Sequence, residues 1–155
     1  MRWSAVATAA ALFLGAGTGA SLAQDLKPEG RTPEQIKALT WKKSPNGTEQ
    51  ATVLGDPTKP GIYVVLSKFP PGTRTPVHFH PDDRVVTVLS GTAYFAYSEA
   101  YEDSKLTPMP AGSVYTEPAK TAHYNWSKDG ELLLQIVGHG PSGTTPFKSA
   151  QDIPK

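Results

Sequence analysis

The sequence predicts one all-β domain, a closed or sandwiched barrel of short strands preceded by a short helix. Two observations carry this reading. Eight runs rich in β-branched and aromatic residues follow one another, at 50–54, 62–69, 75–79, 84–89, 92–97, 113–117, 122–126 and 132–137. The breaks between them are turn formers: Asp56-Pro57, Pro70-Pro71-Gly72, Ser90-Gly91, Pro110-Ala111-Gly112 and Lys128-Asp129-Gly130. No internal repeat or second domain interrupts the series.

The chain opens with a segment that belongs to targeting rather than to fold. Met1-Arg2 is a minimal positive start, residues 5–19 are apolar and uncharged, and Ser21-Leu22-Ala23 offers small residues where a signal peptidase reads. The apolar run is short for a transmembrane span, which needs roughly twenty residues. Cleavage after Ala23 leaves 155 − 23 = 132 residues, enough for one modest core. The expected organisation is a signal peptide over 1–23, an extension with a short helix over 24–40, the barrel over 41–140 and a tail packed outside it over 141–155. The mature protein is expected in a periplasm or secreted, free of the membrane.

Within the extension, Thr32 is a helix N-cap, Pro33 occupies the first helical position and Gln35 can close a capping box. The helix can run only to about Leu39, because β-rich character begins near Trp41.

Charge and composition exclude several partners. Without Arg2, fourteen basic residues balance fourteen acidic ones, no long basic run exists, and the two remaining Trp are isolated, so nucleic acid is not an expected partner. Cysteine is absent, which removes disulfides and thiolate zinc sites and leaves core packing and barrel closure to hold the fold. No serine or cysteine nucleophile, phosphate loop or paired-carboxylate motif stands out.

The chemistry concentrates in the stretch Gly72-x5-His78-x-His80-x3-Arg84-x6-Gly91. Alternation in a strand puts His78 and His80 on one face, with Phe79 behind them. A second cluster follows: Pro110-x-Gly112, Pro118 and His123-Tyr124-Asn125-Trp126. Two histidines on one face of a strand are half of a metal site, and imidazole suits iron, manganese, nickel, copper or zinc. The same histidines can instead line a metal-free polar pocket.

In order and spacing, these two clusters resemble the paired motifs of the cupin superfamily, over roughly residues 62–138. The chain looks like a small single-domain bacterial cupin, most similar to a group of exported proteins. The resemblance implies a cupin-type jelly-roll barrel, with a divalent metal held by His78, His80, the residue at 84 and His123. It also implies barrels that pair into homodimers, and an oxygenase, lyase or isomerase acting on a small organic molecule.

One position departs from the family: Arg84 stands where the motif carries a metal-binding Glu. By parity Arg84 shares its face with Val86 and Val88, yet a guanidinium stays protonated and cannot ligate a cation. At 4 Å from a divalent ion, with an effective dielectric near 20, the repulsion is roughly 8 kcal/mol (332 × 2 divided by 20 × 4). Arg84 can turn onto a carboxylate (Asp82, Asp83 or Glu117), hold an anionic ligand between itself and the metal, or mark a site without metal. Cupins similar to thiol dioxygenases lack the Glu and use a nearby arginine to grip a substrate carboxylate, so a carboxylate is one candidate ligand here.

The rival reading is a metal-free binding or sensing cupin in which Arg84 clamps an anion. Asp82, Asp83 and Gln135 are candidate replacements for the missing ligand. Tyr115 and Gln135 join Arg84 as expected substrate contacts, since Tyr offers an apolar wall with one polar handle and Gln135 interrupts an apolar strand. His139, between two glycines, is expected on the surface in a turn.

Overall fold

The computed structural model describes residues 28–148. The leader expected over 1–23 and the end of the tail lie outside them. Among the described residues no helix is long and apolar enough to cross a membrane.

The described residues begin with a short α-helix, α1 (Pro33–Lys37), whose capping box is formed as the sequence predicts. The Thr32 hydroxyl accepts from the Gln35 backbone N–H, and the Gln35 side chain accepts from the Thr32 N–H. Eleven strands follow: β1 (Lys42–Lys43), β2 (Glu49–Leu54), β3 (Gly61–Phe69), β4 (His78–Phe79), β5 (Arg84–Ser90), β6 (Thr92–Tyr97), β7 (Thr107–Pro110), β8 (Val114–Glu117), β9 (His123–Trp126), β10 (Leu132–Gly140) and β11 (Thr145–Pro146). Each of the eight predicted runs overlaps one of these strands. The additions are β1, β7 and β11, which are two to four residues long and carry little β-branched signal.

The strands form two antiparallel sheets, a six-stranded one in the order β1-β2-β3-β10-β5-β8 and a five-stranded one in the order β11-β4-β9-β6-β7. This is an all-β jelly-roll barrel. Its interior is closed by Tyr63, Val65 and Phe69 of β3, Val86 and Val88 of β5, Leu132, Leu134 and Ile136 of β10 and Tyr115 of β8, packed against Ala93 and Phe95 of the second sheet. Along β10 and the core positions of β5 buried and more exposed residues alternate, while β3, covered on both faces at its centre, buries Val65, Leu66 and Ser67 in succession.

The β5–β6 corner depends on Gly91. Its φ of +78° lies in the left-handed region, and a Cβ there would collide with the Glu131 carbonyl oxygen. That corner returns the chain from the sheet carrying Arg84 to the sheet carrying His123.

The segment after β10 departs from the expected outer tail. Thr145 and Pro146 pair with Phe79 and His78, the Phe147 N–H donates to the Val77 carbonyl, and Thr144 and Pro146 line the interior cavity. Pro and Gly at 140–143 conceal a strand because the pairing is short and made with a distant partner. His139 also lies within β10, opposite Ile62, rather than in a turn, though it is exposed as expected.

Candidate metal centre

His78 and His123 are direct cross-strand partners on β4 and β9, and His80 follows one residue beyond β4. The three rings gather at one point, with centroids 4.9 Å apart for His78–His80, 4.5 Å for His78–His123 and 5.1 Å for His80–His123. One ligand atom from each lies within 4.8 Å of the others.

The ring orientations are fixed by the backbone. His78 Nδ1 lies 2.8 Å from the Pro76 carbonyl, His80 Nδ1 2.6 Å from that of Gly143, and His123 Nδ1 2.8 Å from that of Thr121. A carbonyl only accepts, so each Nδ1 carries the proton and each Nε2 keeps its lone pair. Among the described residues, Nε2 of His80 and of His123 are buried with no hydrogen-bond partner. Buried acceptors left unsatisfied are costly, and convergent imidazole lone pairs in the ligating tautomer are the donor set of a transition-metal site. Those residues fit a divalent metal.

The electrostatics favour the same protonation state. Burial holds His78 down to about 4, assisted by His123, and burial followed by the Arg84 charge holds His80 at about 3. His123 is lowered as well, chiefly by burial. All three are neutral at pH 7, as ligands must be.

Arg84 points inward, as strand parity requires, and turns onto a carboxylate. Its register partner across β5 and β8 is Glu117. The Arg84 Nε donates to Glu117 Oε2 at 2.8 Å, and a second guanidinium nitrogen donates to the same oxygen. Glu117 is only 3% exposed. Burial, the largest single influence, pushes its carboxyl up, but the Arg84 charge, the neighbouring histidines and the Arg84 hydrogen bond together leave it below the ordinary carboxylate range. Glu117 also faces the histidines, with Oε1 3.6 Å from His123 Nε2 and Oε2 3.8 Å from His80 Nε2.

The remaining sequence candidates separate. Asp82 accepts from the Tyr63 hydroxyl at 2.6 Å, and Asp83 accepts from the Ala119 backbone N–H at 2.7 Å. Gln135 does not face the cavity: it alternates with the buried Leu134 and Ile136, which puts it on the outer face of β10. A polar residue in an apolar run marked the solvent side of the strand. Tyr115 does point inward but sits in the apolar core against Phe95, with ring centroids 4.3 Å apart, and does not line the cavity.

The cavity beside the histidines measures about 580 Å³. His78, His80, Arg84 and Glu117 lie on its wall, with Phe69, Leu134, Ile136 and Pro146 supplying apolar surface and Gln50, Ser67 and Asn125 polar atoms. Arg84 and Glu117 are the only charged side chains among these lining residues, and they neutralise each other. Sequence reasoning did not anticipate the wall segments Ser44–Gln50 and Thr144–Pro146, which approach through tertiary contact alone. For Glu117 a signal existed, since it shares the inward parity of Tyr115 in the run 113–117.

Residues 65–137 match the sequence profile of the cupin domain family. No curated protein matches the chain. Among solved structures it is similar to the polyketide cyclase RemF from Streptomyces resistomycificus, at TM-score 0.64 and 13% identity, over 81% of this chain and 89% of that one. An RmlC-like cupin from Shewanella frigidimarina aligns at TM-score 0.58 and 15% identity, over 74% and 92% of the two chains. The structures described as the DMSP lyases RdDddP and RnDddQII align at TM-score 0.59 and 17% identity, over 71% of this chain but only 63% of that chain. At such identities the likeness is one of fold.

Proposed function

We propose that this protein, whose residues 65–137 match the cupin domain family, is an exported, metal-dependent cupin acting on a small organic molecule. The observation that carries the reading is the common pose of His78, His80 and His123. Each Nδ1 is tied to a backbone carbonyl, and the three ligand atoms lie within 4.8 Å of one another. A divalent metal bound there supplies Lewis acidity toward a substrate oxygen, the common requirement of oxygenase, lyase and isomerase chemistry.

The chain's own residues supply positioning and exclusion of water. Phe69, Leu134, Ile136 and Pro146 offer apolar surface to the body of a ligand, and Gln50, Ser67 and Asn125 offer hydrogen bonds to its polar groups. Because the Arg84 fork is engaged by Glu117, the cavity favours a neutral molecule with a metal-seeking oxygen over a carboxylate held by that arginine. The cyclase and lyase among the structures of similar fold are named for reactions on small organic molecules, which agrees with this class of substrate.

Export follows from the leader pattern of residues 1–23, and N-terminal sequencing of the secreted or periplasmic protein should begin at Gln24. Pairing into homodimers has its support in Ile62, Val85, Leu89 and Val114, large apolar side chains exposed on the outer face of the six-stranded sheet. Light scattering reads it directly.

Elemental analysis of the mature protein, purified without a metal-affinity tag, tests the central claim. About one equivalent of iron, manganese, nickel, copper or zinc is expected, and it should be lost in His80→Ala. A protein that is isolated without metal and cannot be loaded would overturn the reading.

A further inference from the structure

We propose that Glu117 is a fourth protein ligand of the metal, delivered from β8 to replace the carboxylate that β5 lacks, with Arg84 as its positioning residue. The inference rests on the three-histidine metal reading.

The argument starts from atoms that should not face each other unaided. His80 and His123 present Nε2 lone pairs, because their Nδ1 protons are committed to the Gly143 and Thr121 carbonyls. The Glu117 carboxylate, salt-bridged to Arg84 through Oε2, turns acceptor oxygens toward those rings. Yet Oε1 stands 3.6 Å from His123 Nε2 and Oε2 stands 3.8 Å from His80 Nε2, too long for hydrogen bonds. Acceptors facing acceptors inside a buried site need a positive centre between them.

The distances suit that centre. Two donors each about 2.1 Å from a shared ion lie roughly 3.4 Å apart at a tetrahedral angle and roughly 4.2 Å apart when opposite. The observed 3.6 Å between Oε1 and His123 Nε2 falls between these limits.

Arg84 determines which oxygen is available. Both of its hydrogen bonds converge on Oε2, leaving Oε1 directed at His123. Since residues 84 and 117 are register partners, the carboxylate has in effect crossed one strand while still reaching the same interior point. The guanidinium that would have repelled the metal now orients the ligand that offsets its own charge.

Cobalt(II) affinity, measured by competition with a chromophoric chelator and by the visible absorption of the bound ion, tests the assignment in four proteins: the mature wild type, His80→Ala, Glu117→Gln, and the double variant Arg84→Met with Glu117→Gln. A ligand role predicts at least a tenfold loss of affinity and an altered cobalt spectrum in Glu117→Gln, with no recovery in the double variant. If Glu117 only compensates Arg84, the double variant, having lost both charges, regains wild-type affinity, and the proposal fails. Unchanged affinity and spectrum in Glu117→Gln also overturn it, while loss in His80→Ala alone leaves the three-histidine reading standing. A wild type that binds no cobalt(II) overturns both. The double variant also removes the fold objection, because it leaves no unpaired buried charge.

Discussion

Arg84 on β5 and Glu117 on β8 are direct cross-strand partners, joined by two guanidinium hydrogen bonds to a single carboxylate oxygen in a site where the arginine side chain is only 10% exposed and the glutamate 4%. The pair resolves the difficulty that an arginine creates in a metal-binding motif. It also makes each charge dependent on the other, because a buried charge stripped of its partner costs several kcal/mol.

Arg84→Met should therefore destabilise the metal-free protein by about 3–5 kcal/mol, since the Glu117 carboxylate stays buried without a counter-charge. Adding cobalt(II) should close most of that gap, because the bound ion supplies the counter-charge that Glu117 has lost. Chemical denaturation with chelator and with metal measures both. A variant as stable as wild type without metal would mean that the pair is not stabilising in this barrel.

Metal should raise the stability of the protein by mass action, by about 2.7 kcal/mol at a free concentration one hundred times the dissociation constant. His123→Ala should abolish the shift, because it removes one of three converging ligand atoms. Thermal melts with and without chelator check this, and a shift that survives in His123→Ala would place the binding elsewhere.

The metal-free protein should lose stability on mild acidification. His78 is held at about 4 and His80 at about 3, both below the ordinary value near 6.5 that they regain on unfolding. Between those limits the unfolded chain binds protons that the native state refuses, so stability is fully present above about pH 6.5 and falls as pH drops toward 4. His123, lowered in the same direction, adds to the effect. Melting temperatures between pH 7.5 and pH 4.5 should decline, and less steeply in His80→Ala.

Gly91→Ala should cost about 2 kcal/mol or more, combining left-handed backbone strain with a Cβ driven into the Glu131 carbonyl. Urea denaturation gives the number. The variant's metal affinity should be unchanged where it remains folded, since the corner lies outside the site.

Gln135→Ala should alter neither metal affinity nor any activity later found, because the side chain is on the outer face of β10. A change in either would contradict the register that pairs Gln135 with Leu66 and Thr87.

The sequence by itself determined the barrel, its one short helix and the histidine cluster, because each rests on local rules. Turn chemistry marks strand ends, alternation assigns faces, a capping box starts a helix, and His-x-His in an extended run puts two rings on one side. Parity even aimed Arg84 correctly. Only the tertiary structure decided what Arg84 meets, since Glu117 lies thirty-three positions away and becomes its neighbour through the β5–β8 register. The same holds for Gly143, whose carbonyl fixes the His80 tautomer from a segment that reads as a tail, and for Gln135, whose polarity suggested a site residue until its strand was oriented. Spacing within one strand is written in the chain; the pairing of strands is set by the burial of the whole core, and in this barrel that pairing determines which charge faces the histidine cluster.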